Sequence, residues 1–275
     1  MHSVIRFVQA VWALMLIMLY NAALFSHLFF VKRKHVWRGT YGTAAYLGEF
    51  TFRQTFYADL LLSNVCRALD ITFRFTGVDC EMRDGPFIVV SNHQSTIDIP
   101  AVYAGLSRLK WSLTSWVMKR ELERTPYGWA GKETGAAFVD RDGGENDLPA
   151  IRVAGRWARL WKAAIVIFVE GTRFKRAVPD SGLTCVLPPK MGGFLALCEE
   201  LPNAPIVSIT LRWSGSAEGL GLGRTIHDVM DLIGRTLEVD ARFVHRSELK
   251  GDPRAWLREE WKRKDTHLVI RARED

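Results

Sequence analysis

The sequence has little cysteine and no pattern in what it has: Cys66, Cys80, Cys185 and Cys198 lie scattered along 275 residues. They form no C-x-x-C pair, and no histidine stands at zinc-finger spacing. A disulfide scaffold and a structural metal site are therefore excluded, leaving reduced core thiols. No N-x-S/T acceptor occurs, so nothing points to a glycosylated secreted product. No G-x-S-x-G elbow occurs either, which removes support for an acyl-enzyme on serine. Gly219-Leu-Gly-Leu-Gly223 looks superficially like a dinucleotide loop, yet it lacks the G-x-G-x-x-G spacing and a clear preceding strand.

What is present suits a packed core. The chain is 48% hydrophobic and 24% charged, which excludes a disordered tail protein or a collagen-like fibre. Lys and Arg outnumber Asp and Glu, 37 to 30, for a net charge of +7. That balance favours anionic partners such as phosphate esters, nucleic acid or an acidic leaflet. No recognition motif supports nucleic acid, and the apolar N-terminus argues against it.

Phe7 to Val31 is apolar except for Gln9, Asn21, Ser26 and His27. A helix of that length exceeds a hydrocarbon core of roughly 30 Å. The run overshoots the usual signal-peptide core and no A-x-A site follows it, so an uncleaved anchor is expected. Lys32, Arg33, Lys34 and Arg38 follow, against Arg6 before it, and this bias places the rest of the chain in the cytoplasm. Asn21 and His27 leave open whether the segment crosses the bilayer or dips into one leaflet; an interfacial position near a helix end or bend is the simpler reading of both than an ion path. Residues 1–38 thus read as a membrane-anchoring helix with a basic flank. In 39–70, Leu47, Phe50, Tyr57, Leu61, Val65 and Ala68 recur at helical spacing, giving an amphipathic helix whose greasy face rests on lipid or on the globular domain.

From residue 71 to 275 the pattern changes to short apolar runs bounded by turn residues. Strands are expected at Ile71–Thr76, Phe87–Ser91, Leu113–Met118, Ala136–Val139, Ile165–Val169, Ile206–Leu211 and Leu237–Val244. Helices are expected at Ile99–Leu106, Arg120–Gly131, Ile151–Ala163 and Met191–Leu201. The alternation predicts an α/β domain, a largely parallel sheet flanked by helices. Ligands of such sheets gather beyond the carboxyl ends of the strands.

Four strand exits carry polar clusters. Ser91-Asn-His-Gln-Ser-Thr-Ile-Asp98 puts His93 and Asp98 five residues apart, a spacing that joins them on neither a regular helix nor a strand. They meet only if the chain turns between them; a carboxylate so placed fixes the imidazole tautomer and frees the other nitrogen for a hydroxyl proton. Ser95-x-x-Asp98 also reads as a capping box, or Asp98 as an N-cap, and capping is compatible with catalysis. Glu170-Gly171-Thr172-Arg173 offers a glycine turn and a planar fork for phosphate, or simply a surface Glu170–Arg173 ion pair. Arg141 is a second phosphate candidate, with Asp140 and Asp142 beside it as neutralising neighbours. Lys190, opening a helix, meets an anion there or is an ordinary solvated lysine.

Taken in order, N-H-Q-S-T-I-D at Asn92–Asp98, G-A-A-F-V-D-R at Gly135–Arg141, F-V-E-G-T-R-F at Phe168–Phe174 and A-P-I-V at Ala204–Val207 resemble the four blocks of the glycerophospholipid acyltransferase superfamily. The likeness is closest to the 1-acylglycerol-3-phosphate and lysophospholipid acyltransferases; Leu187-Pro-Pro-Lys190 looks like a subgroup of them. The resemblance implies a catalytic pair at His93 and Asp98, and acceptor binding by Arg141, Glu170, Gly171 and Arg173; Thr172, between the last two, and Lys190, from its place at a helix start, complete the substrate-binding candidates. Ser208 stands where many members have another proline.

The implied reaction moves a fatty acyl group from a thioester, on coenzyme A or acyl carrier protein, to the free hydroxyl of lysophosphatidate or a related lysophospholipid. No cofactor would be held. The bilayer is the implied partner (the inner membrane in a bacterium), with the catalytic domain facing the cytoplasm. A catalytically silent lipid-binding protein on the same scaffold, and an acyl-thioester hydrolase, are the competing readings.

Overall fold

The computed structural model describes residues 2–77, 85–111, 113–140, 145–215, 226–249 and 251–274. Arg141, Asp142, Cys80 and the Gly219–Gly223 stretch lie outside the described residues.

A seven-stranded sheet runs through the domain in the order β1-β7-β6-β2-β5-β3-β4. The strands are β1 (Thr72–Gly77), β2 (Phe87–Ser91), β3 (Thr114–Lys119), β4 (Ala137–Val139), β5 (Ala164–Phe168), β6 (Ile206–Trp213) and β7 (Thr236–Val244). Every pairing is parallel except β6 with β7. The expectation of a largely parallel sheet holds, with β7 and β1 forming a reversed edge. Alternation along β2 explains the two cores: Phe87 and Val89 face one layer, Ile88 and Val90 the other. β2 lies between β5 and β6 at the centre of the sheet, with a packed layer on each of its faces, and Phe87–Val90 is accordingly apolar without a break.

Helices α1 (His2–Trp37), α2 (Ala44–Ala68) and α3 (Asp98–Arg108) contribute to the first layer. Helices α5 (Leu148–Trp161), α6 (Met191–Glu200) and α8 (Pro253–Glu274) contribute to the second. Helices α4 (Pro126–Glu133) and α7 (Ile226–Met230) are short. The helix expected over Arg120–Gly131 is split. Arg120–Arg124 is a 3-10 turn, Thr125 is extended, and α4 starts at Pro126. The residue before a proline is driven out of the helical region, and Thr125 becomes the cap that accepts the Gly128 N–H.

Helix α1 lies along the domain. Arg6 donates to the Met230 carbonyl at 2.9 Å, Tyr127 Oη to Asn21 Oδ1 at 2.7 Å, and Lys32 Nζ to Glu133 Oε1 at 2.5 Å. Those ties span about 39 Å of helix. His27 Nδ1 meets Tyr57 Oη at 2.8 Å. Asn21 and His27 are therefore helix-docking contacts in an unbroken helix; neither marks a bend. The basic flank is partly engaged, Lys32 with Glu133 and Lys34 with Glu49, while Arg33 and Arg38 are exposed. The outward face of this pair of helices is apolar: Val8, Met18, Phe30, Phe52 and Phe56 are all exposed. Helix α2 thus packs Leu62 and Val65 on the domain while showing other apolar residues outward.

Candidate active site

The site grows from the exit of β2. Asn92 prolongs the sheet with its side chain: Nδ2 donates to the Leu211 carbonyl and Oδ1 accepts the Leu211 N–H, both at 2.8 Å. The chain leaves the sheet only at His93, turns through Thr96 and Ile97, and starts α3 at Asp98. That turn brings the two side chains together, with His93 Nδ1 2.9 Å from Asp98 Oδ2.

Asp98 is fully buried, and the same oxygen accepts the backbone N–H groups of Gln94 at 2.5 Å and Ser95 at 2.6 Å. A carboxylate gathered by three donors is held in one orientation. The capping box is half formed: Asp98 reaches back to Ser95, while Ser95 Oγ accepts from Ile97 rather than from Asp98. The cap position itself is Ile97. Trp213 Nε1 approaches Asp98 Oδ1 at 3.5 Å. The His93 ring stacks on Phe168, with centroids 4.1 Å apart and planes within 14°, so packing as well as hydrogen bonding fixes it. His93 is 7% exposed.

The exit of β5 folds onto this loop. Gly171 takes φ +71, a left-handed conformation that a glycine adopts at little cost, and its N–H closes a turn on the Phe168 carbonyl. Phe174 N donates to the His93 carbonyl at 2.7 Å, and Arg173 Nη1 to Thr96 Oγ1 at 2.8 Å. Lys190, exposed, packs its aliphatic chain over Gly171: a Cβ there would stand 3.1 Å from the lysine Cδ and Cε. Arg173, Lys190 and the exposed Thr172 therefore converge on the rim beside His93.

Glu170 is placed differently from the expectation. It is 2% exposed, does not pair with Arg173, and its oxygens have no hydrogen-bond partner among the described residues. Burial pushes its carboxyl well above the usual range, while Lys264 and the backbone N–H groups of His93 and Leu187 oppose the shift. A turn written E-G-T-R reads as surface, and here the sequence shows only the arginine end of it. Asp140 pairs with Arg120 at 2.7 Å, so its neighbourhood is defined without Arg141.

Three residues of this region carried no sequence signal: Phe168 under the imidazole, Trp213 beside Asp98, and Lys264 from the C-terminal helix. The strands expected at Ile165–Val169 and Ile206–Leu211 include Phe168 but stop two residues short of Trp213, and which of two alternating faces meets the histidine depends on register. Lys264 sits in a run of charges, and only the spacing of Leu257, Trp261 and Leu268 would have disclosed an inward face.

A mostly parallel α/β sheet thus carries the His93–Asp98 pair at its strand ends, where ligands of such sheets gather, with Arg173 and Lys190 on the neighbouring loop. An acyltransferase family model matches residues 72–212, the segment containing both loops, and the chain belongs to that family. An uncharacterised acyltransferase of Schizosaccharomyces pombe is 27% identical over 209 residues, covering 74% of this chain and 70% of that protein. The 1-acyl-sn-glycerol-3-phosphate acyltransferase of Saccharomyces cerevisiae is 32% identical over 124 residues, covering 44% of this chain and 38% of that protein. The crystal structure of the 1-acyl-sn-glycerophosphate (LPA) acyltransferase PlsC from Thermotoga maritima shares the fold, with a TM-score of 0.63 at 15% identity, over 98% of this chain and 99% of that one.

Proposed function

We propose that this acyltransferase moves a fatty acyl group from a thioester, on coenzyme A or acyl carrier protein, to the free hydroxyl of lysophosphatidate or a related lysophospholipid. The observation that carries the reading is the His93 Nδ1 to Asp98 Oδ2 contact at 2.9 Å, beside a rim of cations. With Nδ1 committed to Asp98, Nε2 is the nitrogen that takes the acceptor's hydroxyl proton. The hydroxyl oxygen attacks the thioester carbonyl, the new C–O bond forms as the C–S bond breaks, and the proton passes from His93 to the departing thiolate. Arg173 and Lys190 suit the acceptor phosphate, Arg173 by its planar fork. The resemblance adds Arg141 to this set. Burial of Glu170 favours a supporting role behind Gly171 and Thr172 over direct contact with the acceptor.

The apolar outer face of α1 and α2 suits a lipid surface, and α1's ties to the domain favour a helix lying in one leaflet over one that crosses. The exposed Arg33 and Arg38 suit the anionic headgroups of a cytoplasmic leaflet.

The test is an assay of the purified protein in lipid with radiolabelled acyl-CoA and acyl-acyl carrier protein against a panel of lysophospholipids, the product identified by mass spectrometry. His93→Ala is expected to remove transfer by at least about 10³-fold while thermal unfolding stays near wild type. Near-normal turnover by that variant would overturn the reading. Free fatty acid formed without an acceptor would favour the hydrolase instead, and lipid binding without any turnover the silent binder.

A further inference from the structure

We propose that Lys264, on the C-terminal helix and outside the matched acyltransferase segment, is a positioning residue of the acyl-transfer site: one buried ammonium ties β6 to β2 through the Ile209 and Val90 carbonyls, behind the strand exit that carries His93, and faces Glu170 beyond β5. This rests on the acyl-transfer reading above. Lys264 is fully buried, and its Nζ donates to the Ile209 carbonyl at 2.5 Å and approaches the Val90 carbonyl at 3.5 Å. Val90, on β2, is three residues before His93. Ile209 is two residues before Leu211, whose backbone holds Asn92. Glu170 is reached through space, by the field of Lys264 on its carboxyl.

A methionine would fill the same volume without taking a charge out of water, which costs several kcal/mol for a lone ion. The ammonium does two things a methionine does not. It supplies donors to the Ile209 and Val90 carbonyls, and its positive charge acts on the buried Glu170 carboxyl.

The groups facing Lys264 come from several elements. Glu260 and Arg263 lie on α8, Asp240 on β7, and Glu170 beyond β5; the Trp261 ring is 4.6 Å from Nζ. Burial brings the ammonium down to about 7, against the pull of Glu260, with Arg263 adding to the drop and Glu170 and Asp240 opposing it. Glu170 is in turn acted on by Asp98. Interacting titratable groups thus extend from the C-terminal helix to the partner of His93.

The experiment compares Lys264→Met, Glu170→Gln and the double variant with wild type, using one lysophosphatidate and one acyl-CoA, alongside urea unfolding of each. Lys264→Met is expected to lower kcat at least about tenfold with the acceptor KM within about threefold. The double variant regains most of that loss, and unfolding midpoints show coupling between the two positions without any substrate present. A folded Lys264→Met with wild-type kcat overturns the proposal, as does a loss confined to the acceptor KM or a double variant no better than the single. Failure of both to fold would assign Lys264 to folding alone and equally overturn it. A wild-type protein inactive on every lysophospholipid, with the urea coupling intact, would instead sink the functional reading.

Discussion

The ring of Phe168 lies 4.1 Å from that of His93 and nearly parallel to it, so the last residue of β5 forms the floor on which the imidazole rests. A stacked pair adds about 0.5–1.5 kcal/mol beyond simple burial. Phe168→Leu keeps an apolar filler but removes the flat support, leaving the ring free to tilt away from the acceptor oxygen. Acyl transfer is expected to drop about 3- to 10-fold in kcat with little change in acceptor KM. Steady-state kinetics over a range of lysophospholipid concentrations checks it, and a loss confined to KM would speak against the floor.

Asp98→Asn tests the other constraint on the same ring. The amide keeps the shape but presents a neutral group where three N–H donors converge, and it no longer enforces the tautomer with Nε2 unprotonated. A fall of about 10³–10⁴ in kcat is expected, close to that of His93→Ala. The His93→Ala/Asp98→Asn double variant should be hardly slower than either single one, since the pair acts as a unit.

Much of this architecture was readable from the chain. The seven strands announce themselves as apolar runs, and β2 begins and ends where the sequence predicts because Phe87–Val90 must be covered on both faces. Strand direction was not readable: alternation along β7 is the same whether it runs with β6 or against it. Helix α8 was hidden because Leu257, Trp261 and Leu268 are separated by charged residues, some of which are themselves buried. At the site, the pairing of His93 with Asp98 followed from their spacing and the need for a turn. The inward course of Glu170 did not, since a carboxylate is normally solvated and the groups that offset its burial, Lys264 and the backbone N–H groups of His93 and Leu187, come from other parts of the chain.

Asn92 offers a stability test separate from chemistry. Its side chain meets both the carbonyl and the N–H of Leu211 within the sheet interior. Asn92→Ala strands that pair of backbone groups away from water, at a cost of about 2–4 kcal/mol. Urea unfolding should show a correspondingly lower midpoint with an unchanged slope. A midpoint within experimental error of wild type would mean that the ladder ends at Ser91 in solution.

Arg173 should separate binding from chemistry. Its guanidinium sits over the catalytic loop through Thr96, on the rim and not against the imidazole. Arg173→Ala is expected to raise the acceptor KM about tenfold or more while kcat changes less, and Arg173→Lys to recover only part, because an ammonium lacks the two-pronged geometry. Competition by glycerol 3-phosphate reads the same interaction without turnover; equal inhibition of variant and wild type would detach Arg173 from the phosphate.

Glu260 makes the C-terminal helix sensitive to acid. Burial alone would push its carboxyl up, but hydrogen bonds from Arg263 and Ser208 and the charge of Lys264 prevail and hold it at about 2. Lowered in the folded state, the group stabilises the protein above its unfolded value near 4.5, and that contribution fades as pH falls towards 2. It amounts to roughly 3 kcal/mol at neutral pH. Glu260→Gln should therefore unfold at lower urea than wild type at pH 7, with the two curves converging between about pH 4.5 and pH 2. A gap that stays constant down to pH 2 would show that the variant loses packing and hydrogen bonds rather than charge, leaving Lys264 with a different counterion.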